Sequence, residues 1–243
     1  MKINIGLLGG SGKMGQAVER MLRTVRTNHQ LIPFLFVGRE SSDLFAMSAY
    51  HIKNVETHIL EDVQVWIDFT SAQGLMDLLK ITEKFKTPIV SGSTGLSDQH
   101  FDKIKNASKK RSLFWASNMS PGLWAFRQAL KNLESLSSFD IAIEEIHHTN
   151  KKDRPSGTAK SLHEDLEKTM NKKIETPTSF RLGGVFGIHT ISMASSNEII
   201  KMEHQALNRD VFAEGALLAS NWIVAQKVGF YSMDDMLLKK KKR

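Results

Sequence analysis

A short apolar strand, Lys2–Gly9, runs directly into Gly9-Gly10-Ser11-Gly12-Lys13-Met14-Gly15, and this junction constrains the fold more than any other stretch of the chain. Gly10, Gly12 and Gly15 match G-x-G-x-x-G, and Gly9 sets the same three-residue spacing with Gly12 and Gly15. That spacing serves a tight turn, close approach of the backbone to a pyrophosphate, and close packing of a helix on a strand, with the phosphate at the helix N-terminus. Glycines that merely end strands are common, so the context decides. Here a strand precedes the motif, and a helix follows in which Met14, Val18, Met21, Leu22 and Val25 share one face. A P-loop fits poorly, because Met14 stands where Ser or Thr is needed and Leu7 where that spacing wants its first glycine. The motif therefore points to a dinucleotide, with Gly9, Gly10, Ser11, Gly12, Lys13 and Met14 as its contacts.

The pattern that follows extends this reading to a domain. Apolar runs at Leu31–Val37, Val65–Phe69, Pro88–Val90 and Ser112–Ala116 alternate with helices that begin after Ser71 and near Ser97. Continuous apolar strands between amphipathic helices imply a parallel sheet covered on both faces. After a helix from about Pro121 to Leu136 the character changes. Phe139–Ile146 alternates, a helix spans about Ser156–Met170, and strand-like runs follow at Ser179–Leu182, Ile188–Ala194 and Ile199–Gln205. Val211–Val228 reads as a last helix. The expected class is α/β: a Rossmann-like, doubly wound parallel sheet in residues 1–119, completed by 211–243, plus a smaller α+β domain in 120–210 with a mixed or antiparallel sheet.

Composition narrows the function classes. The chain has 243 residues, 41% apolar and 24% charged, ordinary proportions for a folded globular protein. It has no cysteine, which removes disulfides, thiolate nucleophiles and cysteine-bound metals. No apolar run approaches the roughly 20 residues that span a bilayer, and a cytoplasmic location is expected. The net charge of +7 is concentrated in the terminal run Lys239–Arg243 rather than in a basic face with interleaved aromatics, so nucleic acid is not an expected partner.

Two loops fall at the C-terminal ends of parallel strands, where such sheets place ligands. They are Asp68-Phe69-Thr70-Ser71 and Ser91-Gly92-Ser93-Thr94-Gly95; small residues there let the backbone approach a nicotinamide. The second strand ends in Gly38-Arg39-Glu40. Arg39 can pair a 2′-phosphate, favouring NADPH, while Glu40 keeps NADH open. The chemistry-bearing segment is Glu145–Ala159. His147 and His148 are followed by Lys151, and then by Ser156-Gly157-Thr158 opening a helix after Pro155. Histidine is readily poised near neutral pH as a proton donor, lysine offers charge or a proton, and the helix start offers free N–H groups to an anion. No zinc-type spacing accompanies the histidines, and no metal is expected.

The run His147-His148-Thr149-Asn150-Lys151-Lys152-Asp153-Arg154-Pro155-Ser156-Gly157-Thr158-Ala159 resembles the signature H-H-x-x-K-x-D-x-P-S-G-T-A of the 4-hydroxy-tetrahydrodipicolinate (dihydrodipicolinate) reductase family of bacterial lysine biosynthesis. Further ordered matches are Gly9–Gly15, Ile67–Thr70, Gly92–Gly95, Ser117–Ser120, Arg181–Gly183, Gly187–Thr190 and Gly229–Met233. The resemblance implies hydride transfer from NADPH or NADH to a cyclic, unsaturated dicarboxylate. It implies His147 as general acid/base and Lys151 as second proton donor, with His148, Lys151, Ser156, Gly157 and Thr158 holding a substrate carboxylate. Cofactor contacts are implied at Gly9–Met14, Arg39, Gly92, Ser93, Thr94, Ala116, Ser117, Asn118 and Met119, and the assembly is expected to be a homotetramer. The chain departs from the pattern at Gly38, where an acid is usual, at Arg154 before the proline, and in a shorter stretch from Lys172 to Phe180. Two other readings are an amino-acid or semialdehyde dehydrogenase of the same architecture, which would not need the His147–Thr158 set together, and a nucleotide sensor without chemistry, which would be expected to lose His147 or Lys151.

Overall fold

The computed structural model describes residues 3–24, 29–37, 48–51 and 57–238. Two compact units emerge, one of Met1–Met119 with Phe212–Arg243 and one of Ser120–Val211.

The first unit is built on a seven-stranded sheet whose paired neighbours are all parallel. In chain order its strands are β1 (Ile3–Leu8), β2 (His29–Val37), β3 (Ser48–His51), β4 (Val65–Asp68), β5 (Ile89–Ser91), β6 (Ser112–Trp115) and β11 (Gly229–Tyr231), arranged β11-β6-β5-β4-β1-β2-β3. Ile5, Leu7, Leu8, Val65, Trp66, Ile67, Ile89 and Val90 are all buried, as expected of strands covered on both faces. Helix α1 (Lys13–Thr24) follows β1, the short α2 (Thr57–Glu61) precedes β4, and α3 (Ala72–Ile81) and α4 (Asp98–Ala107) follow β4 and β5. Leu75, Leu78 and Ile104 from α3 and α4 join Leu8, Trp66 and Ile89 in one core cluster. Ser71 caps α3 as its position suggested, its hydroxyl accepting from the Gly74 N–H at 3.2 Å.

The second unit has a four-stranded mixed sheet, ordered β10-β9-β7-β8, from β7 (Asp140–His147), β8 (Thr178–Arg181), β9 (Gly187–Ala194) and β10 (Ile199–Ala206). The β7–β8 pair is parallel and the others antiparallel. Helices α5 (Pro121–Leu130) and α6 (Gly157–Met170) pack Leu123, Phe126, Leu130, Leu162, Leu166 and Met170 against Ile143, Ile191 and Met193. Because strand side chains alternate, the parity that buries Ile143 also turns Glu145 and His147 inward.

Several boundaries differ from the sequence reading. The helix beginning at Pro121 ends at Leu130, and only a single 3₁₀ turn, Glu134–Leu136, continues it. The last long helix, α7 (Asp210–Ile223), stops before Val228 because turns at Ala225 and Gln226 lead the chain into β11 beside β6. A final short helix, α8 (Met233–Leu237), follows. Strands β3 and β11, absent from the sequence reading, are short edge strands created by pairing with β2 and β6.

Candidate active site

In the first unit the C-terminal ends of β1, β4, β5 and β6 converge. After β1 the chain turns at Gly9, with φ +86°, and the Gly12 N–H donates to the Gly9 carbonyl at 2.9 Å. A Cβ on Gly15 would lie 2.2 Å from that same carbonyl oxygen, so α1 packs on the turn at a distance only glycine permits. Helical bonding begins with Gln16 donating to Gly12, which leaves the first-turn N–H groups of Lys13 and Met14 without an intrahelical acceptor, beside an exposed Gly12 and Lys13. These features fit a pyrophosphate.

Asp68, fully buried at the end of β4, organises the neighbouring loops. One oxygen accepts from the Thr70 N–H at 3.0 Å and the Thr70 hydroxyl at 2.5 Å, the other from the Ser91 and Ser93 hydroxyls at 2.7 Å each. Burial raises its pKa, and the four hydrogen bonds oppose that rise. Ser93 is thus turned into the protein and Thr94 is exposed. Ala116 and Met119 are buried as well, whereas Ser117 is exposed and Asn118 half-buried. Of the cofactor residues expected in these two loops, Thr94 and Ser117 are exposed and Asn118 is half-buried, while Ser93 and Met119 shape the loops from within. Gly38, Arg39 and Glu40 lie outside the described residues.

In the second unit β7 delivers His147, 8% exposed, to its C-terminal end. His147 Nδ1 bonds Glu145 Oε2, and Glu145 itself has no exposure at all. The other oxygen of Glu145 accepts from Arg181 Nη1 at 3.0 Å and from the Ser156 N–H at 3.3 Å. Burial alone would raise the Glu145 pKa, but hydrogen bonding, that from Arg181 included, and the charge of His147 hold it below the ordinary carboxylate value. His147 is shifted down, first by burial and further by Lys151 and Arg181, against the opposing pull of Glu145. Since a carboxylate accepts only, Nδ1 carries the N–H and Nε2 is left for chemistry.

Arg181 ties this dyad to the following loop. Its Nε donates to the Lys151 carbonyl at 3.0 Å, and Nη2 donates to the Asp153 carbonyl. The β7–β8 register places Arg181 opposite His147. Lys151 Nζ is 2.9 Å from Asp153 Oδ1. Ser156 caps α6, accepting from the Ala159 N–H at 3.2 Å, and its hydroxyl lies 3.3 Å from His189 Nε2. Its side chain thus shapes the helix start, where Gly157 is exposed and Thr158 half-buried. His148 is half-buried, its carbonyl accepting from the Lys151 N–H at 3.1 Å.

The fold therefore gathers His147, Lys151 and Ser156 through three residues to which the sequence reading gave no role: Glu145, Arg181 and His189. Glu145 could have been found from its shared parity with Ile143. His189 stands opposite Glu145 in the β7–β9 register, and its ring meets that of His147 edge-on at 5.2 Å. Donor atoms of Glu145, His147 and His189 lie within 4.8 Å of one another, a spacing that could hold a metal ion. The Arg181 guanidinium at 3.0 Å already gives Glu145 the positive partner that an ion would supply.

The family described as "Dihydrodipicolinate reductase, N-terminus" matches residues 3–119, and "Dihydrodipicolinate reductase, C-terminus" matches residues 122–237. The 4-hydroxy-tetrahydrodipicolinate reductase of Bdellovibrio bacteriovorus is 42% identical over 242 residues, covering 100% of this chain and 99% of the relative. That of Thermosipho africanus is 33% identical over 237 residues, covering 97% and 98%. Among solved structures, a dipicolinate-bound dihydrodipicolinate reductase from Paenisporosarcina sp. TG-14 superposes with a TM-score of 0.78 at 18% identity, covering 98% of this chain and 100% of the other. An engineered D-amino acid dehydrogenase bound to NADP+ shares the architecture at a TM-score of 0.57 and 13% identity, covering 96% and 93%.

Proposed function

The chain belongs to the dihydrodipicolinate reductase family, and from that premise we propose that it reduces 4-hydroxy-tetrahydrodipicolinate to tetrahydrodipicolinate in lysine and diaminopimelate biosynthesis. It is an NAD(P)H-dependent oxidoreductase. The observation that carries the residue roles is the buried Glu145–His147 dyad beside Lys151 and the α6 start.

When bound, the dihydronicotinamide supplies the hydride. The glycine turn at Gly9–Met14 would hold the pyrophosphate on backbone N–H groups, and an Arg39 side chain would pair a 2′-phosphate, favouring NADPH while leaving NADH usable. The loops at Gly92–Thr94 and Ala116–Met119 would bound the nicotinamide. On the second unit the substrate carboxylate is held by His148, Lys151, Gly157 and Thr158, with Ser156 fixing the backbone that presents those N–H groups. His147 gives the proton from Nε2, and Glu145, accepting from Nδ1, stabilises the imidazolium form as the carboxylate of a catalytic triad does. Burial disfavours that charged form in the resting protein, so arrival of a dianion promotes proton uptake. The hydride and one net proton are consumed and the 4-hydroxyl leaves as water, with Lys151 contributing charge and serving as the second proton donor.

The same proposal makes the protein a cytoplasmic homotetramer assembled through the second unit's sheet. Phe180, Ile146 and Ile188 form a cross-strand row on the sheet face opposite His147, with Phe180 49% exposed, which supports burial against another copy. No helix among the described residues is long and apolar enough to cross a membrane.

The test is His147→Gln. Turnover of 4-hydroxy-tetrahydrodipicolinate should fall at least about a hundredfold, the usual contribution of a positioned acid, while NADPH binding measured by fluorescence is retained. Loss of NADPH binding, or unchanged turnover, would overturn the assignment.

A further inference from the structure

Lys151 already carries a carboxylate of its own chain, Asp153 Oδ1 at 2.9 Å. The loop that brings them together is held, since the Arg181 guanidinium donates to the carbonyls of both residues. Asp153 also sits just before α6, and its carboxyl is held below the ordinary range by the hydrogen bond from Lys151, with Lys151's charge and the N–H groups of Asp153 and Gly157 adding to that pull. The two partners differ in exposure, the Asp153 side chain standing 51% in solvent and that of Lys151 only 25%. Asp153 can therefore swing into water at small cost, while the half-buried Lys151 side chain keeps its place beside the helix start and is left free to pair another anion. The space at the helix start is open, because a Cβ built on Gly157 meets nothing within 4 Å.

We infer that Asp153 is an internal stand-in for a substrate carboxylate: it neutralises Lys151 in the absence of substrate, and an incoming dicarboxylate displaces it. This rests on the proposed assignment of Lys151 and the α6 start to that carboxylate. Asp153 is then a specificity-determining residue. A weak monoanion must compete with a tethered carboxylate for one cation, whereas a dicarboxylate brings a second charge and further contacts to offset the displacement.

The experiment measures the KM for 4-hydroxy-tetrahydrodipicolinate and inhibition by pyridine-2,6-dicarboxylate, on the full-length protein with NADPH. Asp153→Asn and Asp153→Ser, which remove the carboxylate with different shapes, should both lower KM and inhibition constant by about two- to fivefold, the range an exposed ion pair commands. The change should sit in KM rather than kcat, Asp153→Glu should restore the wild-type values, and inhibition by acetate should strengthen in both neutral variants. If Asp153 merely props Lys151 in place, both neutral variants will bind the dicarboxylate more weakly, and that result or unchanged constants would overturn the inference. A wild-type protein that pyridine-2,6-dicarboxylate does not inhibit would instead refute the carboxylate site itself, and the stand-in with it.

Discussion

Replacing His189 by glutamine should make the protein less sensitive to acid, and the size of the effect follows from the surroundings of the ring. His189 is 5% exposed, its Nδ1 has no hydrogen-bond partner among the described residues, and the rings of His147 and His204 lie at 5.2 and 6.4 Å. Burial, reinforced by His147, lowers its pKa from 6.5 to about 4, against the opposing charge of Glu145. Above pH 7.5 neither folded nor unfolded chain protonates it, so it contributes no pH dependence there. As pH falls through 6.5 the unfolded chain gains a proton that the native ring refuses until about pH 4, and stability declines across that window. The full loss is about 3 kcal/mol, of which about 2 kcal/mol has appeared by pH 5. Glutamine places its amide near the position of Nε2 and keeps a partner for Ser156 without a titrating group. The cavity it leaves costs stability at every pH, so the quantity to compare is the change between pH 7.5 and 5 in urea unfolding followed by circular dichroism. The variant should lose about 2 kcal/mol less than wild type over that interval. Parallel losses in the two proteins would show that His189 titrates normally and that its pocket does not exclude the charge.

Asp68→Asn should destabilise the first unit by about 2–4 kcal/mol, because an amide cannot accept at both ends from Thr70, Ser91 and Ser93. NADPH affinity should fall with it, measured by fluorescence titration, since the Gly92–Thr94 loop loses its anchor. Arg181→Lys keeps the charge but cannot reach Glu145, Lys151 and Asp153 together. It should raise the substrate KM and lower kcat by tenfold or more, given about 1.4 kcal/mol per decade, with NADPH binding unaffected in the same assays.

Legibility in the sequence followed the range of the interaction. The glycine turn was readable because its demands are local: a positive φ at Gly9, and a helix packed so close that a Cβ at Gly15 would lie 2.2 Å from the Gly9 carbonyl oxygen, leave few alternative residues. Ser71 and Ser156 announced helix starts for the same reason, each accepting from an N–H three residues on. Strand β11 has three residues and no periodicity of its own; only the exposed edge of β6 makes Gly229–Tyr231 a strand. The site divides in the same way. His147, Lys151 and Ser156 lie within ten residues and could be seen as a cluster. The groups that set their chemistry arrive through register: Arg181 opposite His147 in β8, and His189 opposite Glu145 in β9. Nothing local to residues 145–159 names those partners, because cross-strand pairing is decided by the packing of the whole sheet.

The central claim is that this chain reduces one particular cyclic dicarboxylate. The most direct test is NADPH oxidation by the purified protein, followed at 340 nm (a nicotinamide absorbance), when 4-hydroxy-tetrahydrodipicolinate is generated in the cuvette from pyruvate and aspartate semialdehyde. Oxidation should begin only when both precursors have condensed, with neither precursor alone serving as substrate. Absence of oxidation with the freshly formed compound, or oxidation with aspartate semialdehyde alone, would contradict the account.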